Sequence, residues 1–294
     1  MSSQPKRESG RIVGATLCTH VPRLMMTEKS RAVYMRHTPT SFFDAFARLY
    51  AERIKGRVDT FVVFDTHWFS LTCFVVDGRS MHKGVYTSEE VPQMIRELPF
   101  EYRGDPALAE EIRREAAKEG VPIRFENAPH LPYHYPTLVP MQFLNPDRAA
   151  CVLPTSIAFT SSVEDELAYG YAIGNAVRAS GRRVVLVASG GFSHKFPAMR
   201  TVVDKASPDI RNIPPANRRF DQELVRGLKE GNHRSAIAFA GGYRESSSPE
   251  GRFAHYLRMV GALGGEDCTI RAEQFGEYEA AAGTGQAILW FENP

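Results

Sequence analysis

Nine histidines are spread through the 294 residues, and three of them stand where chemistry can use them. His20 closes the apolar run RIVGATLCTH (11–20). His67 closes VDTFVVFDTHW (58–68), which is apolar through Phe64 and then abruptly polar. His194 follows VVLVAS across Gly190 and Gly191. Runs of this kind, rich in β-branched residues, read as strands. In an open α/β sheet, ligands bind beyond the carboxyl ends of the strands. Three parallel strands would therefore carry three imidazoles to one rim. One histidine at a strand end is ordinarily a hydrogen-bonding residue, whereas three together point to a shared metal or catalytic site. Two imidazoles and one carboxylate on a single face leave positions open for substrate and O2, the arrangement of non-haem Fe(II) oxygenases. Candidates for the carboxylate are Glu250 in SSSPEGRF and Glu277 and Glu279 in FGEYEAAAG. Glu250 opens a helix, where the macrodipole alone favours an acid. Glu277 and Glu279 read more like solvated surface. The residue types leave this choice open.

The remaining histidines are less telling. His130 and His134 lie in APHLPYHYPTLVPM (128–141), whose four prolines suggest a shaped loop or a short extended piece. They could meet an anionic substrate tail, and surface or structural roles serve equally well. Trp68 and Phe192 flank two of the key histidines and could wall an aromatic pocket or simply pack. His255 reads as a packing or hydrogen-bonding residue, and His37, His82 and His233 as surface positions.

The elements that must position these residues alternate between strand and helix. SFFDAFARLYAERIKG (41–56) places Phe43, Phe46, Leu49, Tyr50 and Ile54 on a helical face, with Ser41 able to cap it and Gly56 to end it. A strand over 70–78 is expected beside the strand at 58–68. DPALAEEIRREAAKEG (105–120) has a capping Asp, a first-turn Pro and a terminating Gly. Further strands are expected at 149–160, 182–196 and 286–293, and further helices at 162–181, 217–231 and 251–265. This alternation predicts an α/β fold, organised as one domain over 11–294 behind a polar, mobile tail at 1–10.

Composition sets outer limits. Lysine and arginine number 36 against 34 acids, a net charge of +2, which argues against nucleic acid or an anionic membrane surface as partner. No apolar run reaches the ~18–20 residues of a membrane helix, and MSSQPKRESG lacks the apolar core of a signal peptide. Cys18, Cys73, Cys151 and Cys268 have no metal or redox spacing. A reducing, cytoplasmic setting is expected.

Several short motifs, taken in order, resemble the class III (LigB-type) extradiol ring-cleavage dioxygenases. They are THVP around His20, VFDTHW around His67, GVYTSEEVPQMIRELPFEYRGDPALA at 84–109, and YPTLVPM at 135–141. They continue with ASGGFSH ending at His194, RRFDQELV at 218–225, SPEG around Glu250 and GTGQ at 283–286. The resemblance covers nearly the whole chain after the tail, and the long stretch at 84–109 points to the branch acting on 3,4-dihydroxyphenylacetate. It implies a LigB-like fold with a central β-sheet flanked by helices, and Fe(II) held by His20, His67 and Glu250. It implies His194 as acid and base, Tyr135 facing the substrate, a catechol and O2 as partners, and a homo-oligomer. Other readings are a 2-aminophenol ring-cleaving enzyme, a zinc hydrolase and a non-catalytic subunit, the last of which would lack metal ligands. The chain departs from the family at His134-Tyr135-Pro136-Thr137, where relatives read Glu-Tyr-Gly-Thr or Asp-His-Gly-Thr. That departure adjoins the substrate and leaves the ligands untouched.

Overall fold

Strands buried on both faces read as near-continuous apolar runs, and this chain has several. The structure is a computed structural model describing residues 9–34, 39–202 and 207–293. Its strands are β1 (Arg11–Cys18), β2 (Thr60–Ser70), β3 (Phe74–Asp77), β4 (Met81–Tyr86), β5 (Leu98–Arg103), β6 (Ile123–Glu126), β7 (Cys151–Ala158), β8 (Arg183–Ser189), β9 (Ala272–Ala281) and β10 (Thr284–Glu292). Its α-helices are α1 (Glu28–Tyr34), α2 (Phe42–Leu49), α3 (Pro106–Lys118), α4 (Tyr135–Leu144), α5 (Val163–Ser180), α6 (Pro215–Glu230), α7 (His233–Ser247) and α8 (Ala254–Ala262). A π turn over Tyr50–Ile54 prolongs α2. Of the expected tail, residues 1–8 lie outside the described residues. Gly10 is buried, and its N–H donates to the Arg178 carbonyl at 3.0 Å. No described helix is long and apolar enough to cross a membrane.

Eight strands form one sheet in the order β6-β3-β7-β2-β8-β1-β10-β9, and β4 and β5 form a separate hairpin. The expected α/β architecture is therefore present, and β7, β2, β8 and β1 run parallel at its centre. Side chains alternate between two cores. Val184, Leu186 and Ala188 of β8 join α3, α5 and α8 on one face, and Val185 and Val187 join α2 and α4 on the other. The carboxyl ends of β1, β2 and β8 thus lie side by side on one rim, as the histidine placement required.

Several expectations need correction. The segment at 70–78 does not lie beside β2, because β7 and β8 already occupy both of its edges; β3 joins β7 and β6 instead. The proline-rich stretch is not a loop throughout, since α4 begins at Tyr135. Pro136 falls in its first turn, where no intrahelical N–H is needed, so the departure from Gly to Pro suits a helix start. β9 was masked by its charges, which are normal on an edge strand. Within it Glu279 is buried, bonded to Arg23 and to Ser41 at the start of α2. α7 carries Gly241 and Gly242 in mid-helix, which weakens its pattern, although Ile237, Ala240 and Tyr243 face the core. His82 and His233 are buried and not on the surface. His82 Nε2 lies 3.2 Å from the Val152 carbonyl, and the His233 ring nitrogens meet Tyr256 Oη at 2.9 Å and the Ile270 carbonyl at 2.7 Å. His37 lies outside the described residues.

Among the described residues, the turn carrying Glu250 holds the densest run of positive φ angles. The helix expected from Gly251 begins only at Ala254, because Ser248, Gly251, Arg252 and Phe253 all have positive φ, of 45°, 52°, 56° and 62°. Such strain persists only where surrounding contacts over-determine it. Here Pro249 bridges Ser193, and the Glu250 N–H donates to the Phe192 carbonyl at 3.0 Å. Gly251 serves twice, through its left-handed backbone and through space, since a Cβ would lie 2.7 Å from Thr66 Cγ2. Gly251→Ala should lower the urea midpoint, costing at least ~1–2 kcal/mol from the backbone alone. Gly227→Ala, whose Cβ would meet nothing within 4 Å, should not lower it.

Candidate metal centre

Each group at the rim is pinned by the backbone around it. Asp65, buried in the middle of β2, accepts the N–H groups of His67 and Trp68 at 3.0 and 3.1 Å. Its other oxygen accepts the Thr137 hydroxyl at 2.6 Å, which locks the start of α4 to β2. Thr19, just past β1, donates its hydroxyl to Gln286 Oε1 at 2.6 Å. Phe192 N–H donates to the Gly285 carbonyl and Gly285 N–H to the Ser193 carbonyl, so the GTGQ segment holds both His20 and the loop leading to His194. Buried Asp221 of α6 completes that loop by accepting the hydroxyls of Ser193, Tyr243 and Tyr278.

His20, His67 and Glu250 meet at this rim, with one ligand-capable atom from each lying within 4.8 Å of the others. His20 Nε2 is 2.6 Å and His67 Nε2 3.4 Å from Glu250 Oε1. The outer nitrogens are engaged elsewhere. His20 Nδ1 lies 3.0 Å from Ser189 Oγ, and Ser189 Oγ donates to the Pro136 carbonyl at 2.5 Å. With its single proton spent there, the serine oxygen can only accept, so His20 carries its proton on Nδ1. That carbonyl is available because Pro140, four residues on in α4, has no N–H to bond it. His67 Nδ1 lies 3.1 Å from Glu90 Oε1, a carboxylate that also only accepts. Both imidazoles thus turn Nε2 toward an anionic oxygen, where a proton or a metal ion can sit between them. Glu250 Oε2 accepts the Gly191 N–H at 2.5 Å, and Thr66 Oγ1 is 3.2 Å from Oε1.

Three converging acceptors need a positive charge among them, and the proton affinities reflect that demand. Burial pulls His67 down, but the carboxylates of Glu250 and Glu90 outweigh it and lift the imidazole to about 10. Burial pushes Glu250 up, yet the neighbouring His20 and His67 hold its carboxyl well below the ordinary range. A divalent cation meets the same demand, and the donor set of two imidazoles and one carboxylate suits iron with open positions. The residues therefore fit a resident metal ion.

His194 does not belong to the three-atom cluster. Burial lowers its proton affinity, Glu250 raises it, and His20 and His67 lower it, with a net fall that favours the neutral imidazole. Its ring packs edge-on against Phe196 at 4.6 Å. The buried Tyr135 ring stands 4.5 Å from His67 and 5.3 Å from His20, its hydroxyl donating to Glu90 Oε2 at 3.0 Å. His130 and His134 line a cavity of about 740 Å³ whose wall also includes His67, Arg79, Lys83 and Glu90. Phe192 is a core residue, and Trp68 is half-buried. His255 is fully buried under Gly190, with neither ring nitrogen hydrogen-bonded among the described residues.

Ser189, Thr66, Gly191, Glu90 and Arg79 escape a sequence reading that searches for ligand types. Four of them, all but Arg79, lie within quoted motifs, but only packing assigns them partners. Glu277 and Glu279 lie outside the cluster, since the Glu279 carboxylate serves Arg23 and the start of α2.

Known proteins share this architecture and sequence. A family model described as the catalytic LigB subunit of aromatic ring-opening dioxygenase matches residues 14–291. The 3,4-dihydroxyphenylacetate 2,3-dioxygenase of Escherichia coli is 28% identical over 256 residues, covering 87% of this chain and 91% of that protein. The crystal structure of an uncharacterized protein from Escherichia coli K12 matches with a TM-score of 0.56 at 16% identity, over 95% of this chain and 99% of that one, a likeness of fold alone. With the family model spanning nearly the whole chain, from β1 to β10, the protein belongs to the LigB family of metal-dependent aromatic ring-opening dioxygenases.

Proposed function

We propose that the chain is an extradiol dioxygenase that binds Fe(II) through His20, His67 and Glu250. In this reading it opens the ring of a catechol, 3,4-dihydroxyphenylacetate, with O2 to give a muconic semialdehyde. The observation that carries it is the convergence of two tautomer-fixed Nε2 atoms on the buried Glu250 carboxylate. Fe(II) held there supplies adjacent open positions for the two catechol oxygens and O2, and a path for electron density from ring to O2. Both oxygen atoms end in the product, so no external reductant is consumed in turnover.

The chain's own groups handle protons and fit. His194, neutral through burial, accepts a catechol proton at its free ring nitrogen and later returns it to a product oxygen. A histidine suits both directions near neutral pH. Tyr135 packs edge-on beside the two ligand imidazoles and borders the substrate ring. His130 and His134, on the cavity wall, offer N–H groups to the acetate carboxylate at the far end. A charge-assisted partner there is worth more than a neutral one, and Arg79 and Lys83 in the same cavity add positive charge. Arg79 is already committed to Asp77, with Nη2 and Oδ2 2.5 Å apart, so it contributes less than a free cation would.

Four experiments test the parts separately. Alanine at His20, His67 or Glu250 should sharply lower iron content after anaerobic Fe(II) loading and abolish O2 uptake with the catechol. Full iron occupancy and activity in Glu250→Ala would remove that residue from the ligand set. His194→Ala should keep its iron while kcat falls by about 10²–10⁴; iron loss with an intact fold would make His194 a ligand. His134→Ala should raise KM for 3,4-dihydroxyphenylacetate far more than for unsubstituted catechol, and equal effects would exclude it from carboxylate recognition. Wild-type turnover of 2-aminophenol faster than of 3,4-dihydroxyphenylacetate would overturn the substrate and leave the metal assignment standing.

A further inference from the structure

Glu90 stands between the metal centre and the cavity that it helps to line. It sits on the connection between β4 and β5, in the separate hairpin, at TSEEVP. Its side chain is 60% exposed, so it adds little to the core. The segment around it is nonetheless built to a fixed shape. Ser88 Oγ accepts the Val91 N–H at 3.1 Å, Ser88 N–H donates to the Ile95 carbonyl at 3.1 Å, and Thr87 Oγ1 accepts the Glu97 N–H at 3.0 Å. That frame aims two carboxylate oxygens at two different targets. Oε1 lies 3.1 Å from His67 Nδ1, and Oε2 accepts the Tyr135 hydroxyl at 3.0 Å.

We propose that Glu90 is a positioning residue that orients His67 for metal binding and Tyr135 for substrate binding at the same time. This rests on the reading of His67 as a ligand. Accepting a hydrogen bond from Nδ1 leaves Nε2 as the His67 nitrogen that faces Glu250, and the partner carboxylate makes that nitrogen a stronger donor to a metal. Accepting the Tyr135 O–H in a hydrogen bond leaves the phenol oxygen with lone pairs only, so Tyr135 accepts a hydrogen bond from the substrate hydroxyl and does not donate one. The β4–β5 hairpin is thereby part of the site. Its sheet is separate from the main one, yet its Glu90 fixes the metal-facing and substrate-facing groups in a single contact.

The test begins with the metal-free protein titrated with Co(II) against a chromophoric chelator, with thermal unfolding followed in parallel. Glu89→Ala, which removes the neighbouring exposed charge, should bind Co(II) as wild type does. Glu90→Ala should bind about 10–100-fold more weakly, the range for loss of such an outer partner, with its unfolding temperature close to that of Glu89→Ala. Glu90→Gln keeps an oxygen acceptor for Nδ1 and should recover most of the affinity. In iron-loaded enzyme the KM effects of Glu90→Ala and Tyr135→Phe should be non-additive, the double variant being no worse than the worse single one. Co(II) binding by Glu90→Ala as tight as by Glu89→Ala would overturn the proposal, as would no recovery in Glu90→Gln. The Co(II) series involves no substrate, so a wrong substrate assignment would leave its order intact. If Co(II) affinity in His67→Ala matched wild type, the ligand reading itself would fail, whatever Glu90 does.

Discussion

Two imidazole lone pairs and a buried carboxylate cannot face each other without a positive charge between them. Much of the rim can be understood as the means of enforcing that encounter. Left alone, His20 and His67 would rotate or change tautomer and hydrogen-bond to Glu250 as ordinary donors. Ser189 and Glu90 take the outer nitrogens, so each ring is held with Nε2 toward Glu250 and only a proton or a metal ion can join them. A proton or a metal ion between these groups relieves their crowding. That relief also explains why the proton affinities of His67 and Glu250 move so far in opposite directions.

The supports reach back through the fold in identifiable steps. Pro140 is an unusual residue for a helix interior, yet its missing N–H frees the Pro136 carbonyl that directs the Ser189 proton, which in turn sets His20. Thr137, one residue further along α4, clamps Asp65, which holds the backbone of His67. One short helix therefore governs both imidazoles. The strained turn at residues 248–253 does the corresponding work for Glu250, with Gly191 N–H and the Phe192 carbonyl as its anchors. Such local departures from regular backbone are common where a geometry is held for function.

The sequence carried the rim and much of the architecture. Apolar runs ending in histidine marked β1 and β2, and the Gly-rich break after β8 marked the third position, because strand periodicity and polarity changes are local properties. The carboxylate was not legible from residue type, since an acid opening a helix is unremarkable; motif resemblance selected Glu250, and the structure brought it to the two histidines. What escaped was set by long-range pairing. Glu279 looked solvated because β9 is an edge strand, and its burial depends on Arg23, 256 positions away. His82 and His233 looked superficial because their partners come from distant carbonyls and a tyrosine. α4 reads as irregular from its sequence because prolines usually break helices, whereas Pro136 sits in the first turn, where proline is tolerated. Glu90 was visible as a letter in a matched stretch, and its two contacts exist only after the hairpin folds onto the rim.

The most direct test of the central claim is anomalous scattering at the iron edge from crystals loaded anaerobically with Fe(II). The account predicts one strong peak bounded by Nε2 of His20, Nε2 of His67 and a carboxylate oxygen of Glu250. His194 should stand outside the coordination sphere, and Ser189 and Glu90 should still hold the outer nitrogens. A peak ligated through Nδ1, a peak that includes His194, or iron bound elsewhere with these three side chains unchanged would contradict it.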